Sequence, residues 1–273
     1  MPLSLILFIA AVQGVTEFLP VSSSGHLVLV PVITDQPYQG QSIDVAAHVG
    51  TLIAVLVYLR RDVISIITAM LGFGDNTQMA SNRRLGLMIA AATLPVVIVG
   101  FMVNYAAWHW LTLVTTLAWA NLIFAGLLWA ADRFGRDVFK LTDMRWSAAL
   151  AIGLMQVCAL IPGASRSGVT MTAARFFGYD RLAAARFSLL LSLPAIAGAG
   201  LLKTIDLIEL GDVQLGLDAA LVALLSALFA WLAIRLMMSW LARASFAIFV
   251  VYRLALGSVL LLALQQGWIA AAI

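Results

Sequence analysis

Long uninterrupted runs of apolar residues dominate this chain, and its charged residues fall between those runs. The segment from Leu85 to Ala131 contains no Asp, Glu, Lys or Arg. At about 1.5 Å per residue it is long enough to cross a hydrocarbon core of about 30 Å twice. Because the apolar runs are continuous and do not alternate with polar positions, they predict helices and not a barrel. Six spanning helices are expected, at residues 44–59, 86–105, 111–131, 184–202, 218–238 and 245–269.

Two further apolar stretches are interrupted by proline and small residues. Residues 1–34 contain Pro20 followed by three serines, and Glu17 is the only charged side chain in this stretch. Residues 146–174 contain a Pro-Gly pair, and their only charged side chain is Arg166. The first stretch lacks the basic start of a cleavable signal peptide, so it is expected to remain in the protein. Because broken helices and charges at membrane depth need a protein or water lining, both stretches predict re-entrant segments at a functional site.

The two broken stretches resemble each other at a short series of polar and small residues. The matched pairs are Gln13 with Gln156, Ser22 with Ser165, Ser24 with Ser167, and Gly25 with Gly168. Three spanning helices follow each stretch, and because three is odd, the second copy must enter the membrane from the opposite side. The sequence therefore predicts an all-α integral membrane protein built as an inverted-topology repeat. Within one transmembrane domain, repeat one covers residues 1–131, repeat two covers residues 146–273, and a linker covers residues 132–145.

The distribution of charge predicts how the helices are oriented. Basic residues collect in the connections at 60–85 and 132–146, which are expected to be loops, and in the turn at 175–186. The connection at 203–218, also expected to be a loop, is rich in acidic residues. Since cytoplasmic connections are enriched in Lys and Arg, the linker is expected in the cytoplasm and both chain termini outside. The first broken stretch then enters from outside and the second from the cytoplasm. Their tips are expected to meet near the middle of the membrane, where Glu17 and Arg166 would share one cavity.

Composition narrows the possible partners. The chain is 63% hydrophobic and 11% charged, against about 45–50% and 25% in soluble domains. Its net charge of +3 is small and spread over the connections, which does not indicate a nucleic-acid partner. Cys158 is the only cysteine, so neither an internal disulfide nor a zinc cluster is expected. The membrane is the expected partner, and the sequence leaves open whether the chain forms a homodimer.

The first broken stretch carries a carboxylate ahead of a serine-rich turn. If the helix continues to Pro20, Gln13 and Glu17 lie on one face. A carboxylate in this setting can act as a base or hold a divalent cation, and Mg²⁺ is often held by one or two carboxylates together with substrate phosphates. The serines at 22–24 precede an apolar helix near His26, where hydroxyl and backbone N–H groups attract phosphate.

The second broken stretch adds a cation to a similar turn. The guanidinium of Arg166 presents its donors in a fork that fits phosphate oxygens, and Ser165, Ser167 and Thr170 surround it with hydroxyl groups. Two such turns facing each other predict phosphoanhydride chemistry. Arg166 and a metal would neutralise a pyrophosphate, a hydroxyl or water would attack, and His26 or Glu17 would move the proton.

These motifs resemble a known family. Residues 13–26 are similar to the (E/Q)xxxE and PVSSSGH signature of the bacitracin-resistance type of undecaprenyl-pyrophosphate phosphatases, and residues 162–170 match their PGxSRSxxT signature. The resemblance implies an integral enzyme of the bacterial inner (plasma) membrane. Such an enzyme removes the terminal phosphate of undecaprenyl pyrophosphate and recycles the carrier lipid for peptidoglycan synthesis. It also implies a divalent cation, Mg²⁺ or Ca²⁺, and a site open to the periplasm.

The resemblance also implies roles for individual residues. The expected catalytic residues are Glu17, Ser23, His26 and Arg166, and Glu17 is also the expected metal ligand. The expected substrate-binding residues are Gln13, Ser22, Ser24, Ser165, Ser167 and Thr170. Because this chain has Gln13 at the variable position, a second carboxylate is absent from the motif. Whether Ser23, His26 or water attacks stays open at this point.

Other functions fit parts of the same pattern. A polyprenyl-phosphate transporter or flippase would use the same inverted repeat and discontinuous helices. An intramembrane serine protease would explain the serines and His26, but it leaves Arg166 without a role. Glu17 could also be a structural partner of Arg253, for which a structural role is favoured over phosphate binding. Asp44 is expected to be an interfacial charge, with a place at the rim of the site as the alternative.

Overall fold

The computed structural model describes residues 1–27, 29–34, 38, 40–73, 76–106, 109–210 and 213–269, whose regular structure is helical. Its α-helices are α1 Leu3–Thr16, α2 Ser23–Leu27, α3 Leu29–Thr34, α4 Gln41–Tyr58, α5 Arg60–Met70, α6 Asn76–Ala106, α7 Val114–Phe134, α8 Trp146–Gln156, α9 Arg166–Phe176, α10 Arg181–Leu210, α11 Val213–Leu241 and α12 Ala247–Gln265. Short 3₁₀ turns lie at His109–Thr112, Leu141–Asp143 and Val157–Leu160.

Six of the described helices are long and apolar enough to cross a membrane, which confirms the predicted number of spans. The spanning segments are Gln41–Tyr58, Gln78–Val103, Val114–Phe134, Arg181–Gly198, Leu215–Leu241 and Ala247–Gln265. Each overlaps one of the apolar runs in the sequence. The chain is therefore an all-α, multi-pass membrane protein.

Two connections expected to be loops are largely helical. The connection at 60–85 contains α5, and α6 begins at Asn76, ten residues before the predicted start of the span. The connection at 203–218 is occupied by the end of α10 and the start of α11; residues 211–212, including the acidic Asp212, lie outside the described residues. The loop expectation was wrong because charge marks where a helix leaves the apolar region. The backbone hydrogen bonds of a helix are satisfied internally, so a helix can continue into water.

Contacts between connections identify which helix ends lie together. The carboxylate of Asp132 accepts hydrogen bonds from Arg181 Nε at 2.7 Å and from the Phe246 backbone N–H at 2.9 Å. Arg186 donates to Asp62 at 2.6 and 2.9 Å. These contacts join the end of the bundle where α7 finishes and where α5, α10 and α12 begin. We call it the basic end, because the arginines of the three basic connections lie there.

The broken stretches form helices too short to span the membrane. Helix α1 has 14 residues and α8 has 11, or about 21 and 16 Å at 1.5 Å per residue. The amino group of Met1 lies 2.5 Å from Asp218 Oδ2 in the first turns of α11, so α1 begins at the end opposite the basic end. Helix α8 begins near the basic end, where the Arg145 backbone N–H donates to the Tyr179 hydroxyl at 3.2 Å.

The linker at 132–145 packs against α9 and the start of α10. The backbone N–H groups of Val138 and Phe139 both donate to the Gly178 carbonyl oxygen at 3.0 Å. The buried guanidinium of Arg175 contacts Asp137 and the Tyr179 carbonyl oxygen. These bonds hold the second broken stretch at the basic end. The division into repeats at 1–131 and 146–273 stays a prediction.

Close helix packing fixes the position of α4 beside the first broken stretch. A Cβ atom added at Gly50 would lie 2.0 Å from the Ala223 carbonyl oxygen of α11, so only glycine allows the two backbones to approach this closely. His48 lies half a turn before this contact. Its side chain is therefore carried on a rigidly packed helix.

Candidate active site

The two serine turns have the same local geometry. Ser22 and Ser165 both have a positive φ, 71° and 67°, and they are the non-glycine residues with this feature in the described chain. The Ser22 hydroxyl lies 3.1 Å from that of Ser24, and the Ser165 hydroxyl lies 3.2 Å from that of Ser167. A positive φ costs a serine about 1–3 kcal/mol, and such strain is concentrated at functional sites. The two turns therefore share this local feature, and the internal repeat stays a prediction.

A buried arginine braces the second turn. Gly163 has a φ of 91°, and a Cβ atom there would lie 2.0 Å from the Leu117 carbonyl oxygen. Arg253 Nη2 donates to the carbonyl oxygens of Gly163 and Ala164 at 2.8 and 2.9 Å. Its Nε donates to Asn121 Oδ1 at 2.7 Å. These contacts favour a structural role for Arg253, and its hydrogen bonds do not include Glu17.

The two turns meet each other directly. Arg166 donates to Glu17 Oε1 at 2.9 Å, and its guanidinium lies 5.6 Å from the centre of the Phe18 ring. The Ser167 hydroxyl donates to the Leu19 carbonyl oxygen at 2.9 Å. The acid and the guanidinium that the sequence singled out are therefore an ion pair at the contact between the two turns.

Glu17 also gathers neutral donors on its second oxygen. Its Oε2 accepts hydrogen bonds from Gln13 Nε2 at 2.8 Å and from the Ser23 hydroxyl at 2.9 Å. The Glu17 side chain is 6% exposed, whereas that of Arg166 is 16% exposed and Ser23 is half-buried. This arrangement places a potential base against a reachable hydroxyl group, beside a cation that can hold an anionic substrate.

His48 is part of this cluster, and the sequence analysis missed it. Its Nε2 lies 3.5 Å from Glu17 Oε2, and its Nδ1 lies 2.8 Å from the Asp44 carbonyl oxygen one helical turn earlier. An ionisable residue inside an otherwise apolar span was the available signal, because such residues mark functional sites by default. Asp44 itself also accepts a hydrogen bond from the Tyr38 hydroxyl at 2.6 Å, near the start of α4.

His26 lies in the same turn as Ser23 but has different partners. Its Nδ1 is 2.8 Å from the Ser22 carbonyl oxygen, and its Nε2 is 2.5 Å from the Tyr252 hydroxyl. The rings of His26 and Tyr252 are stacked, with an interplanar angle of 6°. Neither hydrogen bond goes to Ser23 or Glu17. The catalytic role of His26 stays a prediction.

The remaining predicted residues divide by exposure. Ser24 is exposed, and its hydroxyl accepts a hydrogen bond from the Gly163 backbone N–H at 3.4 Å. The other predicted hydroxyl groups are buried, at Ser22, Ser165, Ser167 and Thr170. That of Thr170 lies 2.7 Å from the Ser188 hydroxyl and 2.9 Å from the Arg166 carbonyl oxygen, where it supports the backbone that carries Arg166. Their assignment to substrate binding stays a prediction.

The donor set around Glu17 suits a cation that takes most of its ligands from substrate. Within the described residues, no group of three or more His, Cys, Asp and Glu side chains could hold a metal ion. Glu17 offers one carboxylate, and the buried Gln13 Oε1 beside it has no hydrogen-bond partner in the part of the chain that the structure describes. Oxygen donors of this kind, few in number, are what Mg²⁺ uses when phosphates complete its coordination. The residues present therefore fit the divalent cation that the family resemblance implies.

Fold and site together define an integral membrane protein with an acid, a serine and an arginine joined where two broken helices meet. The chain belongs to the family described as Bacitracin resistance protein BacA, whose sequence profile matches residues 6–259. This membership confirms the resemblance found in the sequence.

Individual relatives agree along nearly their whole length. The chain is 44% identical over 278 residues to the undecaprenyl-diphosphatase of Erythrobacter litoralis, covering 94% of this chain and 97% of the relative. It is 46% identical over 258 residues to the undecaprenyl-diphosphatase of Alcanivorax borkumensis, covering 93% of this chain and 96% of the relative. The undecaprenyl-diphosphatase of Ruegeria pomeroyi is 44% identical over 257 residues, covering 94% of this chain and 96% of the relative.

Proposed function

We propose that this protein is an undecaprenyl-diphosphatase. It hydrolyses the phosphoanhydride bond of undecaprenyl pyrophosphate, releasing inorganic phosphate and the undecaprenyl phosphate that re-enters peptidoglycan synthesis. Its membership of the family and the names of its relatives support this reaction. The observation that carries it in the structure is Glu17, which contacts both a half-buried serine hydroxyl and an arginine. A transporter needs no such grouping of base, hydroxyl and guanidinium.

Ser23 is the nucleophile that the geometry favours. Its hydroxyl already donates to Glu17 Oε2 at 2.9 Å, so Glu17 can accept the proton as the oxygen bonds to the terminal phosphorus. The bond from that phosphorus to the bridging oxygen breaks, and its electron pair leaves on undecaprenyl phosphate. Water then attacks the phosphorus of the phosphoserine and releases inorganic phosphate. As the serine O–P bond breaks, the proton held by Glu17 returns to the Ser23 oxygen, and the proton that the water loses passes to solvent. His26, in the same turn, is the alternative proton carrier.

Arg166 holds the diphosphate during this reaction. Among the described residues its guanidinium donates a hydrogen bond to Glu17 Oε1 alone, so its other donors can reach phosphate oxygens. Arginine can present two parallel N–H donors to a phosphate, which fixes its orientation as well as its position. The exposed Ser24 hydroxyl lies on the same contact between the turns and adds a donor.

Glu17 and the unpaired amide oxygen of Gln13 would hold a divalent cation, Mg²⁺ or Ca²⁺. When bound, the cation would neutralise charge on the diphosphate and on the departing phosphate. Glu17 would thus bind the cation as well as Arg166, with which it forms an ion pair in the structure. This double use of one carboxylate fits a cation that arrives together with the substrate.

We place the protein in the bacterial inner membrane with its basic end in the cytoplasm. Arginines concentrate there, including Arg60, Arg61, Arg133 and Arg186, as expected for cytoplasmic connections. The first broken stretch, which starts beside Asp218 at the opposite end, then enters from the periplasmic side. The two broken stretches are re-entrant in this arrangement, and the serine turn opens toward the periplasm.

The reaction is tested with purified protein in detergent and undecaprenyl pyrophosphate. We expect inorganic phosphate to be released with turnover, to stop when EDTA is added, and to resume with excess Mg²⁺ or Ca²⁺. Tight binding of the lipid without phosphate release would instead identify a carrier. Cleavage of a protein substrate without metal would identify an intramembrane protease.

A further inference from the structure

An open polar cavity lies at the basic end of the bundle, away from the serine turns. Its volume is about 690 Å³, and it is lined by the junction of α4 and α5 together with α10 and α11. Four arginines from three separate parts of the chain line it: Arg60, Arg61, Arg186 and Arg235. We call this cavity the basic pocket. No residue assigned to the reaction lines it.

The basic pocket has a large excess of positive charge. Asp62 is the acidic residue in its lining, and both of its carboxylate oxygens accept hydrogen bonds from Arg186 Nη2, at 2.9 and 2.6 Å. Arg235 lies 5.5 Å from the centre of the Trp231 ring and makes no ion pair in the described structure. Arg60 and Arg61 are exposed at the start of α5, likewise without a carboxylate partner among the described residues. Three of the four arginines that line the cavity thus lack an ion-pair partner among the described residues.

The basic pocket lies at the ends of two spanning helices, α4 and α11. Helix α4 ends at Tyr58, and Arg235 lies six residues before the end of α11, or about 9 Å along the helix axis. Leu59, Leu182 and Met238 line the cavity beside the arginines. A wall that is part apolar and part cationic suits a ligand with a charged head and a hydrocarbon stem. A preference for basic residues in cytoplasmic connections explains their number at this end, but not their convergence on one cavity.

We propose that the basic pocket binds the doubly negative phosphate headgroup of a lipid from the adjacent leaflet. Arginine clusters between helices on the cytoplasmic side suit such headgroups, because the guanidinium fork matches phosphate oxygens and the membrane supplies the lipid at high local concentration. Cardiolipin, with two phosphodiesters, and a polyprenyl phosphate, with one phosphomonoester, share this chemistry. The site is separate from the proposed reaction and does not depend on it.

The test measures the lipid affinity of a variant that lacks two of the four arginines in the basic pocket. Purified full-length protein in detergent is titrated with tetraoleoyl cardiolipin, with undecaprenyl phosphate and with inorganic phosphate, and bound lipid is counted by native mass spectrometry. The variant is Arg60→Ala/Arg235→Ala. The control, Arg83→Ala/Arg133→Ala, removes the same charge from the same end but from residues outside the cavity. Arg61→Ala/Arg235→Ala serves as a second pocket variant if the first is unstable.

We expect a saturable lipid site, additional to any binding of undecaprenyl phosphate at the serine turns. Its affinity should fall about 25-fold in the pocket variant and stay within about twofold in the control, since each arginine near a membrane surface contributes about fivefold. The lipid that binds more tightly to the wild type identifies the source of the headgroup. Equal affinities in the pocket and control variants, or no saturable lipid site, would overturn the proposal. So would displacement of the lipid by inorganic phosphate at equal concentration. Phosphatase turnover, measured on the same samples, should not change, which keeps this result separate from that of the reaction.

Discussion

The ion pair between Glu17 and Arg166 predicts different outcomes for activity and for stability when its partners are removed singly and together. The informative variants are Arg166→Ala, Glu17→Gln and the double variant. Arg166→Ala removes the group that holds the diphosphate, and it also leaves the buried Glu17 carboxylate without its cation. Glu17→Gln keeps the shape of the side chain but removes both the base and the negative charge.

The structure sets the expected size of each effect. Loss of one preorganised electrostatic group costs about 10²–10³ in turnover, so each single variant should lose at least about 100-fold. Removing one partner of a buried ion pair costs about 3–5 kcal/mol. The cost here should be nearer 2 kcal/mol, because Arg166 is partly exposed and Glu17 retains Gln13 and Ser23 as donors. For a chain of this size that corresponds to a fall in Tm of about 4–8 °C.

The assay pairs phosphate release with thermal unfolding in the same detergent. Arg166→Ala should be inactive and less stable, while the double variant should regain most of the lost stability and stay inactive, because its buried carboxylate has become a neutral amide. A folded Arg166→Ala protein that keeps more than a tenth of the wild-type turnover would remove Arg166 from the reaction. A double variant no more stable than Arg166→Ala would show that the pair is not electrostatically coupled in the way the distances imply.

Three further predictions follow from neighbouring contacts. Ser23→Ala should lower turnover by at least about 10³-fold, while Ser24→Ala, in the same turn but not bonded to Glu17, should lose less than about tenfold, measured by phosphate release. His48 should position the Glu17 carboxylate, so His48→Leu should lower kcat about tenfold with little change in KM. His48→Gln, whose amide can still donate to Glu17, should recover most of that loss. Equal activity of these two variants would argue against the positioning of Glu17 by His48. Gly163→Ala should destabilise the protein by more than about 2 kcal/mol, seen as a fall in Tm, because the added methyl group meets the Leu117 carbonyl oxygen at a backbone conformation that disfavours alanine.

The features predicted correctly from sequence are those set by local composition. The six spans follow from apolar length, because a membrane helix must be long and uncharged whatever it packs against. The breaks in the first and second stretches follow from proline and glycine, which interrupt regular helices. The proximity of Glu17 and Arg166 could be predicted from the sequence, because each is the sole charge of its stretch and a charge at membrane depth needs a partner.

The features missed from sequence depend on contacts between distant residues. His48 reaches Glu17 from a helix that begins 24 residues later, and Tyr252 reaches His26 across 226 positions. No local pattern specifies either approach, since both depend on how α4 and α12 pack. The helical course of residues 60–70 was missed for a different reason: their charges identify a segment outside the membrane but do not determine whether its backbone is helical.

The differences between the two serine turns explain how turns with matching serine conformations can form one site. In the alignment that pairs Gln13 with Gln156, Arg166 falls opposite Ser23, and Leu160 falls opposite Glu17. Two identical turns would bring like charges together where they meet, which is unfavourable in a setting of low dielectric. Here one turn carries the carboxylate and the Ser23 hydroxyl that contacts it, while the other carries the cation, so attraction between opposite charges closes the site. The two turns share a serine with a positive φ, but they differ in their charged side chains. The chemistry of the site therefore depends on the positions at which the two turns differ.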